Sequence, residues 1–476
     1  MQKFDTKVQH LKYKVLREVA RSAFNDTLLE DFAEIPKKIV PKNEPTMRCC
    51  IYKERAIVQE RMKMAMGGNV ANPNVIEVMT IACDECPVGG YEVTDSCRGC
   101  IAKRCHDACP VNAITFDKQH HAHINKEICK ECGRCAQACQ FSAIRNYKRP
   151  CQSACKVNAI SMDGEGRSAL IDNEKCIACG ACVYRCPFGA IMDKSYITEV
   201  IAMLKDAKKN GTKVYACVAP SIAGQFTYAK LGQIITAIKE LGFTDVKEVA
   251  FGADIVAFSE GAELAEKGKL TSSCCPAFVS YIEKFHPRAL PYVSHNLSPM
   301  GALGQYLKER EPDCKTVFIG PCTAKKAEIK KPSVAKYIDS AITFEELQAL
   351  IDSRDIDVNS LPEDELNDAS FYGRIFARSG GLTGAARRAI EEQGIDFEVI
   401  PATCSGIDEC RMALLKLSKG VLKENFIEGM ACEGGCINGA GCLTHVNYEK
   451  AKLKVDTHAK QAYDSIKTAL EKADVK

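Results

Sequence analysis

Cys176-Ile177-Ala178-Cys179-Gly180-Ala181-Cys182-Val183-Tyr184-Arg185-Cys186-Pro187 sets four cysteines at C-x2-C-x2-C-x3-C and closes on a proline. The same cadence stands at Cys129, Cys132, Cys135 and Cys139, and a version two residues longer in the middle at Cys97, Cys100, Cys105 and Cys109-Pro110. A shortened copy keeps only Cys151-x3-Cys155. After each run comes one phrase: Cys-Pro-Val-Asn-Ala-Ile (109–114), Cys-Gln-Phe-Ser-Ala-Ile (139–144), Cys-Lys-Val-Asn-Ala-Ile (155–160) and Cys-Pro-Phe-Gly-Ala-Ile (186–191). Four copies of one phrase are an internal repeat. Such tight spacing wraps backbone amides around a single iron–sulfur cubane, with the fourth cysteine passed to the other cluster of a pair. Zinc could use two C-x2-C pairs, but it does not need four thiols in this cadence.

Composition narrows the setting. The chain has 476 residues, 28 of them Cys and none Trp, and 16 of the cysteines fall between Cys83 and Cys186. A disulfide framework belongs to short secreted chains without a core, so ligation in a reducing cytoplasm is the expectation here. The formal charge of +3 argues against a nucleic-acid binder or a polybasic membrane-surface protein. No apolar run reaches the ~18 residues of a membrane span, and no signal-peptide core follows Met1.

The texture divides the chain into four parts and predicts an α+β multidomain protein. Residues 1–82 read as a helical, charged N-terminal region. Its stripe of Val15, Val19, Ala23 and Leu28-Leu29 runs toward Pro36 and Pro41, and a second helix from Glu54 to Met66 is closed by Gly67-Gly68. Cys49 and Cys50 read there as two buried structural thiols. Residues 83–195 are the ferredoxin-like iron–sulfur region. From 196 to 450, apolar runs such as Val214–Ala219 and Thr316–Ile319 alternate with helical stretches at Ile197–Lys209, Leu231–Leu241 and Gly380–Gln393, which predicts parallel strands. Residues 451–476 hold a last helix, about Asp456–Ala473.

The cluster ligands follow from the cadence. Cys97, Cys100 and Cys105 take Cys139, while Cys129, Cys132 and Cys135 take Cys109. Cys176, Cys179 and Cys182 take Cys155. Cys186 and Cys151 then lack two partners, and Cys83-x2-Cys86 is the unpaired supplier, so a fourth cluster on Cys83, Cys86, Cys151 and Cys186 is expected. The alternative is three clusters, with some of these four as free core thiols.

Three further cysteine segments stand in the second half: Thr271-Ser272-Ser273-Cys274-Cys275-Pro276, Gly320-Pro321-Cys322-Thr323-Ala324-Lys325-Lys326-Ala327-Glu328, and Glu428-Gly429-Met430-Ala431-Cys432-Glu433-Gly434-Gly435-Cys436-Ile437-Asn438-Gly439. Read alone, they could bring four thiolates from three loops to one interior cluster, Gly434 and Gly435 allowing close backbone approach.

Together, in order and behind a ferredoxin region, they closely resemble the three signature motifs of the [FeFe]-hydrogenases, over about residues 83–445. The resemblance implies a two-lobed α/β catalytic domain that buries its cluster between the lobes, in a ferredoxin-linked enzyme of the monomeric type. By that likeness Cys275, Cys322, Cys432 and Cys436 hold a [4Fe-4S] cubane. Cys436 bridges it to a di-iron subcluster with carbon monoxide, cyanide and azadithiolate ligands, inserted by dedicated maturases. Cys274 matches the thiol that relays the proton outward, and Glu260, Ser294 and Glu263, in that order, match the chain to solvent. Lys325 matches a lysine that donates to one cyanide. Pro220 and Ser221 resemble the loop at the other cyanide, and Met430 the methionine against the di-iron site. Gly320, Phe278 and Met300 depart from the commonest pattern, and Cys442 lies beyond the third motif, which suggests a divergent subgroup. Without the resemblance, Glu260 and Glu263 would read as one solvated helical face.

Other stretches carry less. Gln119-His120-His121-Ala122-His123 reads as an exposed hairpin or turn, Gly380-Gly381-Leu382-Thr383-Gly384 lacks the dinucleotide fingerprint, and Cys404 and Cys410 read as core. The expected activity is reversible oxidation of dihydrogen to protons and electrons exchanged with ferredoxin. The alternatives are a slow dihydrogen sensor, an iron–sulfur assembly protein lacking the di-iron site, and a plain polyferredoxin.

Overall fold

The computed structural model describes residues 3–41, 44–87, 89–163, 167–445 and 448–475. Two parallel sheets carry the second half of the chain. One runs Asp245–Glu248, Val214–Val218, Lys315–Gly320, Ser340–Thr343 in spatial order, and the other Leu270–Thr271, Phe426–Met430, Pro401–Ser405. Val214–Val218 is buried at every position, as an interior strand of a parallel sheet covered on both faces must be. Each strand hands on to a helix, the helices coinciding with the expected ones to within a residue or two: Ile197–Asn210, Leu231–Glu240 and Gly381–Glu392. The long helix Val249–Lys267 crosses Pro299–Arg310 so closely at Gly252 that a Cβ there would lie 2.1 Å from the Pro299 carbonyl.

The repeats fold as short antiparallel hairpins with one-turn helices. Gly90–Val93 pairs Ile144–Tyr147, Ile114–Phe116 pairs Ala122–Ile124, and Ile160–Met162 pairs Ala169–Ile171. The phrase has a physical reason. Its fourth position is Asn112, Ser142, Asn158 or Gly189, and all four have φ between 50° and 58°, where small polar residues and glycine are least strained. The amide that follows then turns onto sulfur: Ala113 donates to Cys109 Sγ at 3.2 Å, Ala159 to Cys155 at 3.2 Å and Ala190 to Cys186 at 3.3 Å.

The N-terminal helix Lys7–Phe24 opens on a capping box between Thr6 and Gln9 and packs on Phe344–Ser353, sharing one core with both central strands of the four-stranded sheet. A buried chain of charges ties it down. Lys12 Nζ meets Asp193 at 2.6 Å and Glu345 at 2.7 Å, and Lys326 Nζ meets the other oxygen of Asp193 and Glu346, both at 2.7 Å. The two lysines hold Asp193 well below the usual carboxylate range despite its burial.

Three expectations are corrected. The stripe stops at Phe24, and Leu29 is 87% exposed, because the chain turns at Asn25–Thr27. Cys49 is exposed and Cys50 half-buried, acting as the N-cap of the helix Ile51–Ala65 rather than as core. The last helix is two, Tyr448–Ala459 and Ile466–Lys472, since the Tyr463 carbonyl leaves the helical ladder to accept from Phe371 N at 2.7 Å. The histidine stretch is an exposed hairpin and Cys404 and Cys410 are buried, as expected.

Candidate active site

In a parallel sheet, functional loops gather beyond the carboxyl ends of the strands, and all three cysteine segments do so here. Cys274-Cys275 follow Leu270–Thr271, Pro321-Cys322 follow Lys315–Gly320, and Ala431-Cys432 follow Phe426–Met430. Pro220 and Ser221 follow Val214–Val218. The two sheets thereby enclose an interior cavity of about 90 Å³. Cys274, Cys275, Cys322, Cys432 and Cys436 line it together with Pro220, Lys325, Met430 and Met300. Ser221 stands behind Pro220, fully buried, its hydroxyl without a hydrogen-bond partner among the described residues. Phe278 packs on Gly429, and Gly320 is kept free of a side chain by the Phe318 ring, 2.4 Å from where a Cβ would lie.

The donor set suits a cluster. Cys436 is exposed and Cys275, Cys322 and Cys432 are partly so, yet their open surface faces the cavity. Burial pushes Cys322 up to about 11 and Cys436 up to about 12, and in each case the neighbouring cysteines add to it. Thiols so crowded keep their protons unless iron takes the sulfurs as ligands. Among the described residues no three His, Cys, Asp or Glu side chains converge on a point fit for a single metal ion. Instead they surround a volume.

Lys325 is charged and held in place. Burial opposes its charge, but Glu328, paired with it at 2.6 Å, and the nearby thiols outweigh burial and raise its pKa. Its Nζ donates to Ser298 Oγ at 2.7 Å and to the Cys274 carbonyl at 3.4 Å. Cys274 remains a thiol: burial and the neighbouring Cys275 and Glu260 push it well above the usual range.

Behind Cys274 the helix Val249–Lys267 presents Glu260 and Glu263 one turn apart. Glu260 is fully buried, and neither of its oxygens has a hydrogen-bond partner among the described residues. Burial pushes its carboxyl up to about 8, although Ser294 and the Ser273 amide lie near enough to pull it down. Ser294 Oγ donates to Glu263 at 2.9 Å. Glu263 also binds Lys267 at 2.7 Å, His295 Nδ1 at 2.8 Å and Asn296 Nδ2 at 2.9 Å; against burial, Lys267, the His295 amide and the Ser294 hydroxyl hold its pKa below the usual value. His295 is 80% exposed on its side chain. Glu260 thus lies near both Cys274 and Ser294, and the Ser294–Glu263 bond leads on to exposed His295.

Elsewhere the cysteines gather in four sets. Burial and the neighbours Cys100 and Cys139 push Cys105 up. The same holds for Cys135 with Cys129 and Cys109, and for Cys182 with Cys179, Cys176 and Cys155. Cys151 is pushed up to about 11 by burial, Cys186, Cys83 and Cys86. The third set abuts the cavity lined by Cys274 and Cys275. Thr323, next to Cys322, donates to the Ala178 carbonyl at 2.8 Å, and a Cβ on Gly180 would strike Thr323 and Ala440 at 2.5 Å.

Residues 212–440 match the family described as the iron-only hydrogenase large subunit, C-terminal domain, and residues 96–143 and 149–190 match the 4Fe-4S dicluster domain. The chain is 31% identical to iron hydrogenase 1 of Clostridium pasteurianum over 70% of its own length and 67% of that protein. It is also 31% identical to the periplasmic [Fe] hydrogenase large subunit of Nitratidesulfovibrio vulgaris, over 68% of itself and 87% of that subunit. The chain belongs to the iron-only hydrogenase family. An [FeFe]-hydrogenase structure from Chlamydomonas reinhardtii shares the fold, with a TM-score of 0.50 and 21% identity over 58% of this chain and 93% of that one. The family also reaches a cytosolic Fe-S cluster assembly factor of Kluyveromyces lactis, 23% identical over 42% of this chain and 57% of that protein. No described helix is long and apolar enough to cross a membrane.

Several parts of this hydrogenase-family site were invisible in the sequence. Ser298, Lys325's partner, lies outside all three cysteine segments. Phe376 and Ala377 close the cavity from a stretch without a motif. Glu428, inside the third segment, is fully buried and accepts from Gly380 N at 2.6 Å and from Thr383 Oγ1 at 2.6 Å, fastening that segment to the start of the helix Gly381–Glu392. The charge in an otherwise apolar strand, Phe426-Ile427-Glu428-Gly429-Met430, was the available signal.

Proposed function

We propose that this chain is a catalytic [FeFe]-hydrogenase of a reducing cytoplasm, interconverting dihydrogen with two protons and two electrons and exchanging the electrons with ferredoxin. The observation that carries the reading is Glu260, buried and without a hydrogen-bond partner among the described residues, between Cys274 on the cavity wall and the Ser294–Glu263 hydrogen bond that leads to the surface.

Cys275, Cys322, Cys432 and Cys436 would hold the six-iron cofactor, whose di-iron part maturases would deliver. When bound, that cofactor supplies the site at which dihydrogen is split or made. The chain's own residues handle protons and exclude water. Cys274, held as a thiol, passes a proton to Glu260, which burial keeps able to carry one near neutral pH. The Ser294 hydroxyl, donating to Glu263, shifts its proton onward, and Glu263 releases it among His295 and Lys267. Lys325, fixed by Ser298 and Glu328, presents a positive charge to the cavity for an anionic cyanide, and Ser221 offers an unspent hydroxyl beside Pro220. Met430 fills the wall beside Gly435.

Four [4Fe-4S] clusters would form the wire: Cys97, Cys100, Cys105 and Cys139; Cys109, Cys129, Cys132 and Cys135; Cys83, Cys86, Cys151 and Cys186; and Cys155, Cys176, Cys179 and Cys182. The third set supports a bridge. Both chain crossings into the outer hairpin lobe, after Cys86 and before Cys151, start at its cysteines.

Dihydrogen evolution from reduced viologen, by protein matured anaerobically with the hydrogenase maturases, tests the reading beside Cys274→Ala. Sustained turnover that collapses in the variant is expected. Very slow turnover from fully loaded protein would indicate a sensor, and cubanes without a di-iron unit would indicate the assembly role to which the Kluyveromyces relative points.

A further inference from the structure

The first repeat departs from the others by two residues, and the structure shows where they go. In the later repeats the residue opening the short helix is left-handed and directly follows the second cysteine of its pair: Gly133 after Cys132 and Gly180 after Cys179, both at φ 75°. In the first repeat Lys103, at φ 40°, opens the helix Arg104–Asp107. Ile101 and Ala102 are therefore the extra pair, and they stand out into solvent. Ile101 is 99% exposed, and its neighbours Cys100 and Ala102 are exposed as well.

The surroundings are basic. Arg98 and Arg104 are exposed on either side. The histidine hairpin belongs to the same face, because Gly99 packs on it: a Cβ there would come within 3.0 Å of the Gln119 carbonyl and 3.2 Å of that of His120. His120 and His121 are exposed. Of the acidic groups here, Asp107 lies against His106 at 3.2 Å, and Asp117 is occupied by the amides of Gln119 and His121 and by His123. The whole lobe from 89 to 148 has nine Lys and Arg against six Asp and Glu, a surplus equal to the formal +3 of the entire chain.

We propose that Ile101, ringed by Arg98, Arg104 and the 120–121 hairpin, is the docking surface for an acidic, low-potential one-electron carrier protein. This rests on the hydrogenase reading and names where its electron partner binds. An apolar anchor within a charged rim is the usual anatomy of an interface hot spot, and opposite charge steers the encounter. Cys100, itself exposed, would place a sulfur of the first repeat's cluster at that anchor. Each encounter oxidises the carrier by one electron and reduces the cluster by one. Two encounters and two protons make one dihydrogen, and the reverse direction returns them.

The test uses the mature holoprotein, Ile101→Asp, and Arg98→Glu with Arg104→Glu. Dihydrogen evolution is driven either by an acidic two-cluster bacterial ferredoxin or by methyl viologen. Both variants should raise the ferredoxin KM tenfold or more and leave the viologen rate unchanged. The wild-type ferredoxin KM should rise with salt, and that of the double variant should not. A ferredoxin KM unmoved in both variants, or moved equally with viologen, overturns the docking site. If the protein makes no dihydrogen from viologen, the hydrogenase reading fails separately. Docking is then decided by titration calorimetry with oxidised ferredoxin, where tenfold weaker binding in the variants supports the site and equal binding overturns it.

Discussion

Replacing Glu260 by Gln isolates the proton that the buried carboxyl carries. The side chain is fully buried, and its pKa of about 8 stands far above the 4.5 of an ordinary glutamate. Below about pH 4.5 the group is protonated in the folded and unfolded chain alike and contributes nothing to pH-dependent stability. From there to pH 8 the unfolded chain ionises while the folded one stays neutral, so stability falls as pH rises. At ~1.36 kcal/mol per pH unit, the loss reaches about 3 kcal/mol at pH 7 and levels off near 5 kcal/mol above pH 8. Glu260→Gln removes this slope, whatever constant offset its amide adds. Infrared difference spectroscopy of the matured protein against the variant checks the cause directly. The wild type should show a carboxylic-acid carbonyl band at pH 7 that fades through pH 8 and is missing from Glu260→Gln. Dye-linked turnover should fall by about 10²–10⁴ in the variant, the ordinary weight of one acid–base group. A band lost already below pH 6, or one unaffected by the substitution, would refute the reasoning.

Cys274→Ala should lower turnover by a similar ~10²–10⁴ while iron and sulfide content stay unchanged, as measured on the same preparation. Lys326→Met leaves Asp193 and Glu346 each missing a buried cationic partner, and should cost about 3–5 kcal/mol, read as a lower melting temperature. Cys151→Ser should remove one cubane, seen as a loss of four irons per chain and of one reduced-cluster signal in electron paramagnetic resonance. The same variant should slow ferredoxin-driven turnover more than viologen-driven turnover.

Local chemistry was legible and tertiary chemistry was not. The cadence of Cys129–Cys139 and Cys176–Cys186 is written in consecutive residues, and so is the left-handed turn at Asn112, Ser142, Asn158 and Gly189 that makes the phrase recur. The parallel strands were visible because Val214–Val218 and Lys315–Gly320 are apolar runs between helical stretches. By contrast, nothing near Leu29 says that the helix ends before it. The break in the last helix is set by Phe371, some ninety residues away, reaching the Tyr463 carbonyl. Glu260 and Glu263 are a charged helical face in any sequence-only reading. Their pairing with Ser294 and Cys274 depends on a strand and a loop that arrive from elsewhere, and only the family likeness supplied it.

The charge chain Lys12–Asp193–Lys326–Glu346 has a consequence for the order of synthesis. Lys12 leaves the ribosome early, but its partner Glu345 lies 333 residues later. Until Asp193 emerges the buried lysine of the first helix has no counterpart, and until Glu345 emerges it has only one of its two. Its full set of contacts over the carboxyl-terminal end of the iron–sulfur region, which Asp193 marks, forms only when the second cysteine segment and the helix beyond it have emerged. The iron–sulfur lobes are thus translated into an open vestibule, reachable by whatever loads them, and the N-terminus shuts the door last.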